Sequence, residues 1–327
     1  MSTIFTESVL TGYFYSILRM ATPLIYAMLG AVISKRAGTN NLAIEGTMLM
    51  SGMVGCMVSI FIPNLWVATL AGIVAGVLVS LFLAFMFLKL KANTTMTCVS
   101  LNTIVLGLSM FIPFATFGES KGSTVGHTSL TFPVWHIPII KDIPYIGRVL
   151  SGHSCLTYIA ILFTFIVWFF LFKTRLGLRI RAAGENEDAA QAVGINVVRT
   201  KMISFVITGI LCSLGGMFMS MYYLSWFTSG QVAGRGFIGL SVSNLTGGRP
   251  IFGYIVATLF GAIDAAALTL QSAFSIPAEL LQTIPYITTI IGVTFVAQLD
   301  IKRAQKKQAQ KEQEKQAQLQ KEMLENK

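Results

Sequence analysis

The sequence predicts an all-α, polytopic membrane helix bundle of about 8–10 transmembrane helices, one of them a broken, glycine-rich segment. Three observations predict this class: 54% of the 327 residues are hydrophobic, only 12% are charged, and the mean hydropathy is +0.69. Because a soluble domain carries about 25% charged residues, the polar groups here cannot cover a water-soluble globule. The composition therefore excludes a soluble enzyme, a nucleic-acid-binding protein and a secreted disulfide scaffold as first interpretations.

The elements follow from the apolar runs, since a helix needs about 20 residues to cross a bilayer. No basic residue precedes Arg19, so the chain lacks the positive region of a cleaved signal peptide and the first span is expected to be retained. A further apolar stretch, 226–248, is interrupted by six glycines and is the predicted broken crossing. The continuous spans are predicted at 14–34, 42–62, 65–88, 95–117, 154–172, 202–223, 251–271 and 278–299.

The distribution of lysine and arginine predicts which side faces the cytoplasm. One side carries 19 of the 24 basic residues, and basic loops favour the cytoplasm. This assignment requires 226–248 to cross or deeply re-enter the membrane, and it places the C-terminus in the cytoplasm, while the side of the N-terminus stays open. The segments assigned to the cytoplasmic side are 35–36, 89–91, 173–201, 249 and the tail from 301.

The segments outside the spans divide the chain into one transmembrane domain, 1–300, and a charged cytoplasmic tail, 301–327. Within the domain, 118–153 is the one sizeable external segment, and it holds His127, His136 and His153. The spacing of these histidines matches no standard metal site, so we interpret the segment as an ordered loop. The tail is rich in Lys, Gln, Glu and Ala, and we expect it to lie near anionic membrane lipid.

No cofactor or metal is predicted for this chain. The four cysteines lie in apolar stretches without a C-x-x-C pair, which is typical of small core residues. A nucleotide-binding G-x-x-x-x-G-K-[ST] motif is also missing, since GESKGST from Gly118 has the wrong order. No nucleotide-binding site is therefore predicted on this chain.

The first candidate site lies in AGTNNLAIEGTMLMSGMVG, from Ala37 to Gly55. Asn41 and Glu45 stand where a lipid-facing sequence would be apolar. Glu45 has two interpretations, an anchor at a helix end and a group that lines a path through the membrane. Gly52 and Gly55 are expected to serve helix packing.

The second candidate site is the interrupted stretch from Ser229 to Pro250, in which glycines surround Arg235. Broken helices expose free backbone N–H and C=O groups, which line polar substrate paths in transporters. Asp264, deep in the span 251–271, is the other intramembrane acid. It either pairs with a nearby arginine or lines the path, and the sequence leaves both roles open.

The third candidate site is the loop from Leu176 to Lys201. Asn186 is a plausible N-cap, acidic residues follow it, and Gly194 is a natural left-handed stop, so the loop predicts a short helix with a flat alanine face. The helix either ties two spans together or docks a cytoplasmic partner.

Five segments in this order resemble a known family: LRMATPLIYAMLGAVISKRAGTNNLAIEGTMLM, SLNTIVLG, LGLRIRAAGENEDAAQAVGIN, AGRGFIGL and LLQTIPYITT. They are similar to the permease subunits of bacterial ABC importers, specifically the nucleoside and simple-sugar permeases of the branched-chain permease superfamily. The likeness runs from about residue 18 to 299. It implies a multi-pass protein of the bacterial cytoplasmic membrane that is not itself an enzyme.

The resemblance also implies roles for individual residues. The family's N-x-G-x-E-G signature falls on Asn41, Ala43, Glu45 and Gly46, with Ala43 in place of the internal glycine. Its coupling-loop pattern R-A-x-G-x-N-x-x-A-A begins at Arg181, and its G-[RK]-G-F-I element covers Gly234–Ile238. The segment SNLTGGRP departs from the family's usual apolar run. Within the loop 174–200, the residues expected to couple to the ATPase are Gly184, Glu185, Asn186, Ala189, Ala190 and Gly194.

The implied partners are a cytoplasmic ABC ATPase subunit, a second, paralogous permease that makes a heterodimer, and a substrate-binding lipoprotein; no nucleic acid is expected. The hypothesis is an importer of nucleosides, with ribose or another simple sugar as the alternative substrate. An ion-coupled secondary transporter that uses Glu45 and Asp264 is the rival from a different class. The residues expected near the substrate path are Asn41, Glu45, Asn102, Arg235 and Phe237.

Overall fold

The computed structural model describes residues 7–118, 122–136 and 146–274, together with the single positions 287, 294 and 298. The chain divides into two compact units, Met1–Pro285 and Tyr286–Lys327, and every element described below belongs to the first. The predicted span 278–299 and the tail 301–327 lie outside the described residues, apart from those three positions.

The described elements are helices, with one pair of two-residue strands. The strands β1 (Val134–Trp135) and β2 (His153–Ser154) pair antiparallel. A π-helical turn, Met219–Tyr223, extends the ninth helix. The helices are α1 (Glu7–Arg36), α2 (Ile44–Phe61), α3 (Leu65–Leu88), α4 (Thr94–Phe117), α5 (Ile146–Leu150), α6 (Cys155–Lys173), α7 (Arg175–Glu185), α8 (Glu187–Ala192), α9 (Val197–Phe218), α10 (Arg235–Leu245) and α11 (Pro250–Phe274).

Seven helices in the described part are long and apolar enough to cross a membrane, namely α1, α2, α3, α4, α6, α9 with its π-helical turn, and α11. They correspond to seven of the eight predicted continuous spans, with ends that differ by a few residues. The predicted all-α polytopic bundle is therefore confirmed. α1 is the central helix, because most of its length is buried between α9, α10 and α11.

Most helices begin at a residue whose own side chain caps the first turn. Asn64 accepts hydrogen bonds from the backbone N–H groups of Trp66 and Val67, and Asn186 accepts one from that of Ala189 at 3.0 Å. Such caps satisfy donors that have no partner within the helix. α2 and α10 differ, because Ala43 and Gly234 occupy their N-cap positions and supply no side-chain bond. Their first turns need partners from elsewhere in the chain.

The helices pack closely at glycines that the sequence analysis predicted to serve helix packing. A Cβ at Gly52 would lie 2.8 Å from the carbonyl oxygen of Gly216, so α2 and α9 meet backbone to backbone at that point. Small residues allow this close approach, which matters in lipid because the hydrophobic effect does not drive helices together there. The prediction that Gly52 is a packing residue is confirmed.

The broken crossing has an irregular half, 224–234, and a helical half, α10. The irregular half bonds to the segment 122–132: Thr124 N–H donates to the Phe227 carbonyl at 2.9 Å, and Ser129 N–H donates to the Ser225 carbonyl at 3.0 Å. Non-helical backbone at membrane depth is tolerated only where protein or a watery path satisfies it. The two irregular segments thus satisfy each other.

The two ends of the bundle can be named after residues of α1. We call the end that holds Arg36 the Arg36 side and the end that holds Tyr15 the Tyr15 side. Arg36 donates hydrogen bonds to the carbonyls of Gly247 and Gly248 just after α10, and the Tyr15 hydroxyl donates to the Gly152 carbonyl. The segment 226–248 thus ends on the Arg36 side, and its crossing or deep re-entry stays a prediction, since it is not among the seven described helices long and apolar enough to span a membrane.

Candidate functional site

Glu45 joins the two helices that lack their own caps. It lies in the first turn of α2, and its two carboxylate oxygens accept hydrogen bonds from the N–H groups of Gly234 and Gly236, each at 2.8 Å. A carboxylate at a helix N-terminus also interacts favourably with the helix dipole. Glu45 therefore caps α10 from another helix, which is the anchoring geometry of the first alternative. Its side chain is only half-buried, so it also reaches the space beside the junction.

The backbone at this junction requires glycine. Gly234 has φ +77°, a left-handed conformation that other residues rarely adopt. A Cβ at Gly236 would lie 2.6 Å from the backbone nitrogen of Glu45. The Gly-Arg-Gly sequence thus brings the first turn of α10 directly against that of α2.

Asn102 fixes the start of α2 from the other side. Its Oδ1 accepts from the Gly46 N–H at 2.9 Å and its Nδ2 donates to the Leu42 carbonyl at 3.0 Å. Asn41 is buried, and its Oδ1 accepts from the Ala43 N–H. Its Nδ2 has no hydrogen-bond partner among the described residues. The structure therefore brings Asn41, Glu45 and Asn102 together around one helix start.

Arg235 stands at the first position of α10, beside two acids. Its guanidinium interacts electrostatically with Glu45 and with Asp264 of α11, and its Nη1 donates to the Val232 carbonyl at 3.3 Å. Three charged side chains that the sequence analysis singled out thus form one group, which we call the charged junction (Glu45, Arg235 and Asp264). Charges at membrane depth are rare and indicate a functional path.

The open face of α10 continues from this junction toward the Arg36 side. Phe237 is 41% exposed, and Ser241 and Asn244 follow on the same face at helical spacing. Sequence reasoning named Phe237 and missed Ser241 and Asn244. The i, i+4, i+7 spacing of Phe237, Ser241 and Asn244 could have placed them on one helix face. This spacing is informative only if the helix is known to begin at Arg235.

The predicted coupling loop forms two short helices. Asn186 ends α7 and caps α8, and Gly194 has φ +81°, so the cap and the left-handed stop are both confirmed. The alanine face divides: Ala190 is 3% exposed and packs inward, whereas Ala189 is exposed. Sequence reasoning missed Val193, which is 76% exposed directly after α8 and is the most exposed large hydrophobic residue of this element.

α7 docks on the end of α1 through Gly184, which lies against the backbone of Arg36 and Gly38. Phe172, at the end of α6, lies beneath the guanidinium groups of both Arg36 and Arg181, at 5.6 and 4.8 Å from its ring centre. Arg36 in turn holds the two carbonyls that follow α10. A continuous set of contacts therefore runs from α7 through Arg36 to α10.

α8 has its own attachment. Glu187, in its first turn, accepts a hydrogen bond from Lys201 of α9 at 2.5 Å. Lys201 is 1% exposed and also lies 5.6 Å from the ring centre of Phe87, at the end of α3. These contacts place 173–201, 35–36 and the end of α3 on the Arg36 side together, as the charge distribution predicts.

We expect Gly184→Ala to loosen α7 from α1, because the added methyl group meets the backbone of Arg36 and Gly38. Such overpacking costs about 1–3 kcal/mol, which should lower the melting temperature of the purified protein in detergent by several degrees. Gly107→Ala on α4 is the matched control, since its Cβ would meet nothing within 4 Å. Equal melting temperatures for Gly184→Ala and wild type would contradict the docking.

The histidines of the segment 118–153 lie apart from the charged junction. His153 is buried, stacks on Tyr15 with ring centres 4.2 Å apart, and bonds through Nε2 to the Val149 carbonyl at 2.8 Å. Burial lowers the pKa of His153, the Val149 hydrogen bond opposes this shift, and the nearby Arg19 charge adds to it. Within the described ranges, no cluster of His, Cys, Asp or Glu side chains is arranged to hold a metal ion.

Comparison with known proteins identifies similar sequences across most of the chain. The family model for the permease component of the branched-chain amino acid transport system matches residues 13–312. The guanosine ABC transporter permease protein NupQ of Bacillus subtilis is 32% identical over 295 residues, which cover 87% of this chain and 92% of the relative. The putative glucose ABC transporter permease protein TsgC13 of Haloferax volcanii is 29% identical, with 87% and 91% covered. The nucleoside ABC transporter permease protein NupC of Lactococcus lactis is 29% identical, with 83% and 87% covered.

Proposed function

Because this chain belongs to the family of branched-chain transport-system permease components and is a membrane permease subunit of an ABC importer, we propose that it carries nucleosides. The named substrates of its relatives are guanosine, nucleosides and glucose. Nucleosides and glucose share a sugar ring with adjacent hydroxyl groups, so ribose or another simple sugar is the second candidate. The family assignment excludes the alternative of an ion-coupled secondary transporter.

The observation that supports a path at the α2–α10 junction is the cap that Glu45 provides to α10. This cap keeps polar backbone and three charged groups at membrane depth beside an open helix face. We assign Asn41, Asn102 and Glu45 to holding the junction, and Arg235 and Phe237 to facing the substrate. An exposed aromatic ring such as Phe237 suits a nucleobase, since stacking contributes about 1–3 kcal/mol per base in nucleic-acid complexes.

The Arg36 side is assigned to the cytoplasm, together with the C-terminus, on the excess of basic residues. The proposed contact with the ATP-binding subunit is the coupling element 184–194, with Gly184, Glu185, Asn186, Ala189, Ala190 and Gly194. Of these, Gly184 and Ala190 hold the element to the bundle, and the exposed residues face the partner. Movement of α7 would reach α10, and with it Arg235, through Arg36.

The remaining partners follow from the same assignment. We propose that a second, paralogous permease completes the path, and that a substrate-binding lipoprotein docks on the Tyr15 side against 118–153. ATP and magnesium would be used by the ATPase subunit, with no cofactor on this chain, in a bacterial cytoplasmic membrane.

Uptake into vesicles tests the substrate and the energy source together. The chain is co-reconstituted with its candidate ATPase, second permease and lipoprotein, and uptake of labelled guanosine is measured with ATP on the ATPase side, with and without an uncoupler. We expect ATP-dependent uptake that survives the uncoupler and that unlabelled ribose competes for poorly. Efficient competition by ribose would favour a simple sugar, and uptake abolished by the uncoupler would contradict the proposal.

A further inference from the structure

Asp264 is the buried acid whose role the fold itself does not explain. It is 8% exposed, and its Oδ1 has no hydrogen-bond partner among the described residues. It forms no direct ion pair with Arg235, although the two interact electrostatically. An unpaired carboxylate within a membrane span costs free energy, so the presence of Asp264 at this position points to a ligand.

Arg235 has matching unused capacity. Its Nε is buried and has no hydrogen-bond partner within the described part of the chain, while its Nη1 bonds only weakly, at 3.3 Å, to the Val232 carbonyl. In Glu45, the other acid of the charged junction, each carboxylate oxygen already accepts a hydrogen bond, one from the Gly234 N–H and one from the Gly236 N–H. Asp264 is therefore the junction carboxylate with oxygens left to accept, and Arg235 is its neighbouring donor.

A carboxylate acceptor and a guanidinium donor at one junction suit two adjacent hydroxyl groups. One hydroxyl donates to a carboxylate oxygen while the oxygen of the next accepts from a guanidinium N–H, and hydrogen bonds to charged groups are the strong ones.

We propose that Asp264 and Arg235 bind the vicinal hydroxyl groups of the sugar ring, which makes Asp264 a specificity-determining residue of the path. This proposal rests on the proposed function and deepens it. Sugar recognition at this point is independent of the base, so the same pair would accept different nucleosides. Arg235 keeps Glu45 as a counter-charge without Asp264, so neutral variants at position 264 should fold.

The test compares guanosine with 2′-deoxyguanosine, which lacks one of the two hydroxyl groups. Uptake of each is measured in vesicles for wild type, Asp264→Ala and Asp264→Asn, with the binding lipoprotein saturated. Because the lipoprotein is identical throughout, its own discrimination cancels in the ratio of variant to wild type. We expect Asp264→Ala to lower guanosine uptake about ten-fold or more and 2′-deoxyguanosine uptake less than about two-fold. Asp264→Asn should have the same pattern with a smaller loss.

Thr258→Val on α11 is the control, since the Thr258 hydroxyl bonds to its own helix at Tyr254, and both substrates should be carried normally. Equal losses for both substrates in the folded Asp264 variants would overturn the proposal and leave a purely structural charge. Wild-type vesicles that carry ribose but no nucleoside would instead refute the proposed substrate. In that case ribose and 2-deoxyribose replace the nucleoside pair, and an equal effect of Asp264→Ala on both again overturns the diol site.

Discussion

Replacing Glu45 with alanine is expected to reduce uptake strongly and to destabilise the bundle. The change removes both acceptors of the Gly234 and Gly236 N–H groups at a depth where water does not replace them. Each buried donor left without a partner costs about 1–3 kcal/mol, so the start of α10 loses about 2–6 kcal/mol. Displacement of Arg235 and Phe237 should lower uptake by about two orders of magnitude. Vesicle uptake and thermal unfolding in detergent measure the two effects.

Asn64→Ala is the matched control for the Glu45 variant, because Asn64 also caps two N–H groups, those of Trp66 and Val67. This cap lies at the exposed start of α3, where water can accept hydrogen bonds from the two N–H groups, so we expect a loss of about 1 kcal/mol and normal uptake. Glu45→Gln keeps one acceptor and should fall between the two. A Glu45→Ala protein as stable and active as Asn64→Ala would show that the α2–α10 cap is dispensable.

The sequence predicted the spans well, because lipid demands long apolar helices and leaves few exceptions. The scarcity of charge within the spans also singles out Glu45, Arg235 and Asp264 from the sequence alone. Which of them meet was not predictable, since Glu45 and Gly234 are 189 residues apart and no local pattern links them. The choice between anchor and path therefore required the three-dimensional contacts.

The irregular segments were harder to predict for the same physical reason. The sequence marks 226–248 as broken, but its backbone is satisfied by 122–132, which sequence reasoning interpreted only as an external loop. A six-residue helix such as α8 is also too short for periodicity to identify its inner face. Ala190 and Ala189 consequently looked equivalent, although one packs inward and the other is exposed.

Because the coupling element has a buried face and an exposed face, a test of coupling must use a residue of the exposed face. Ala190→Arg would disrupt the packing of α8, because Ala190 is buried, and a loss of uptake would then reflect folding. Val193 is the better position, since it is exposed and follows α8 immediately. A substitution there changes the surface offered to a partner and leaves the contacts of Gly184 and Lys201 intact.

We expect Val193→Asp to separate the permease from its ATPase subunit while the fold is kept. Burying a valine at an interface contributes about 1.5–3 kcal/mol, and an unpaired carboxylate in its place adds a desolvation penalty, so association should weaken about 100-fold or more. Co-purification of the ATPase, and stimulation of its activity by the loaded lipoprotein, should both be lost at an unchanged melting temperature. Val125→Asp, at a 57% exposed valine of the segment 122–132, is the control that should retain the ATPase. If Val193→Asp keeps the ATPase as well as Val125→Asp does, the partner surface must lie elsewhere on the Arg36 side.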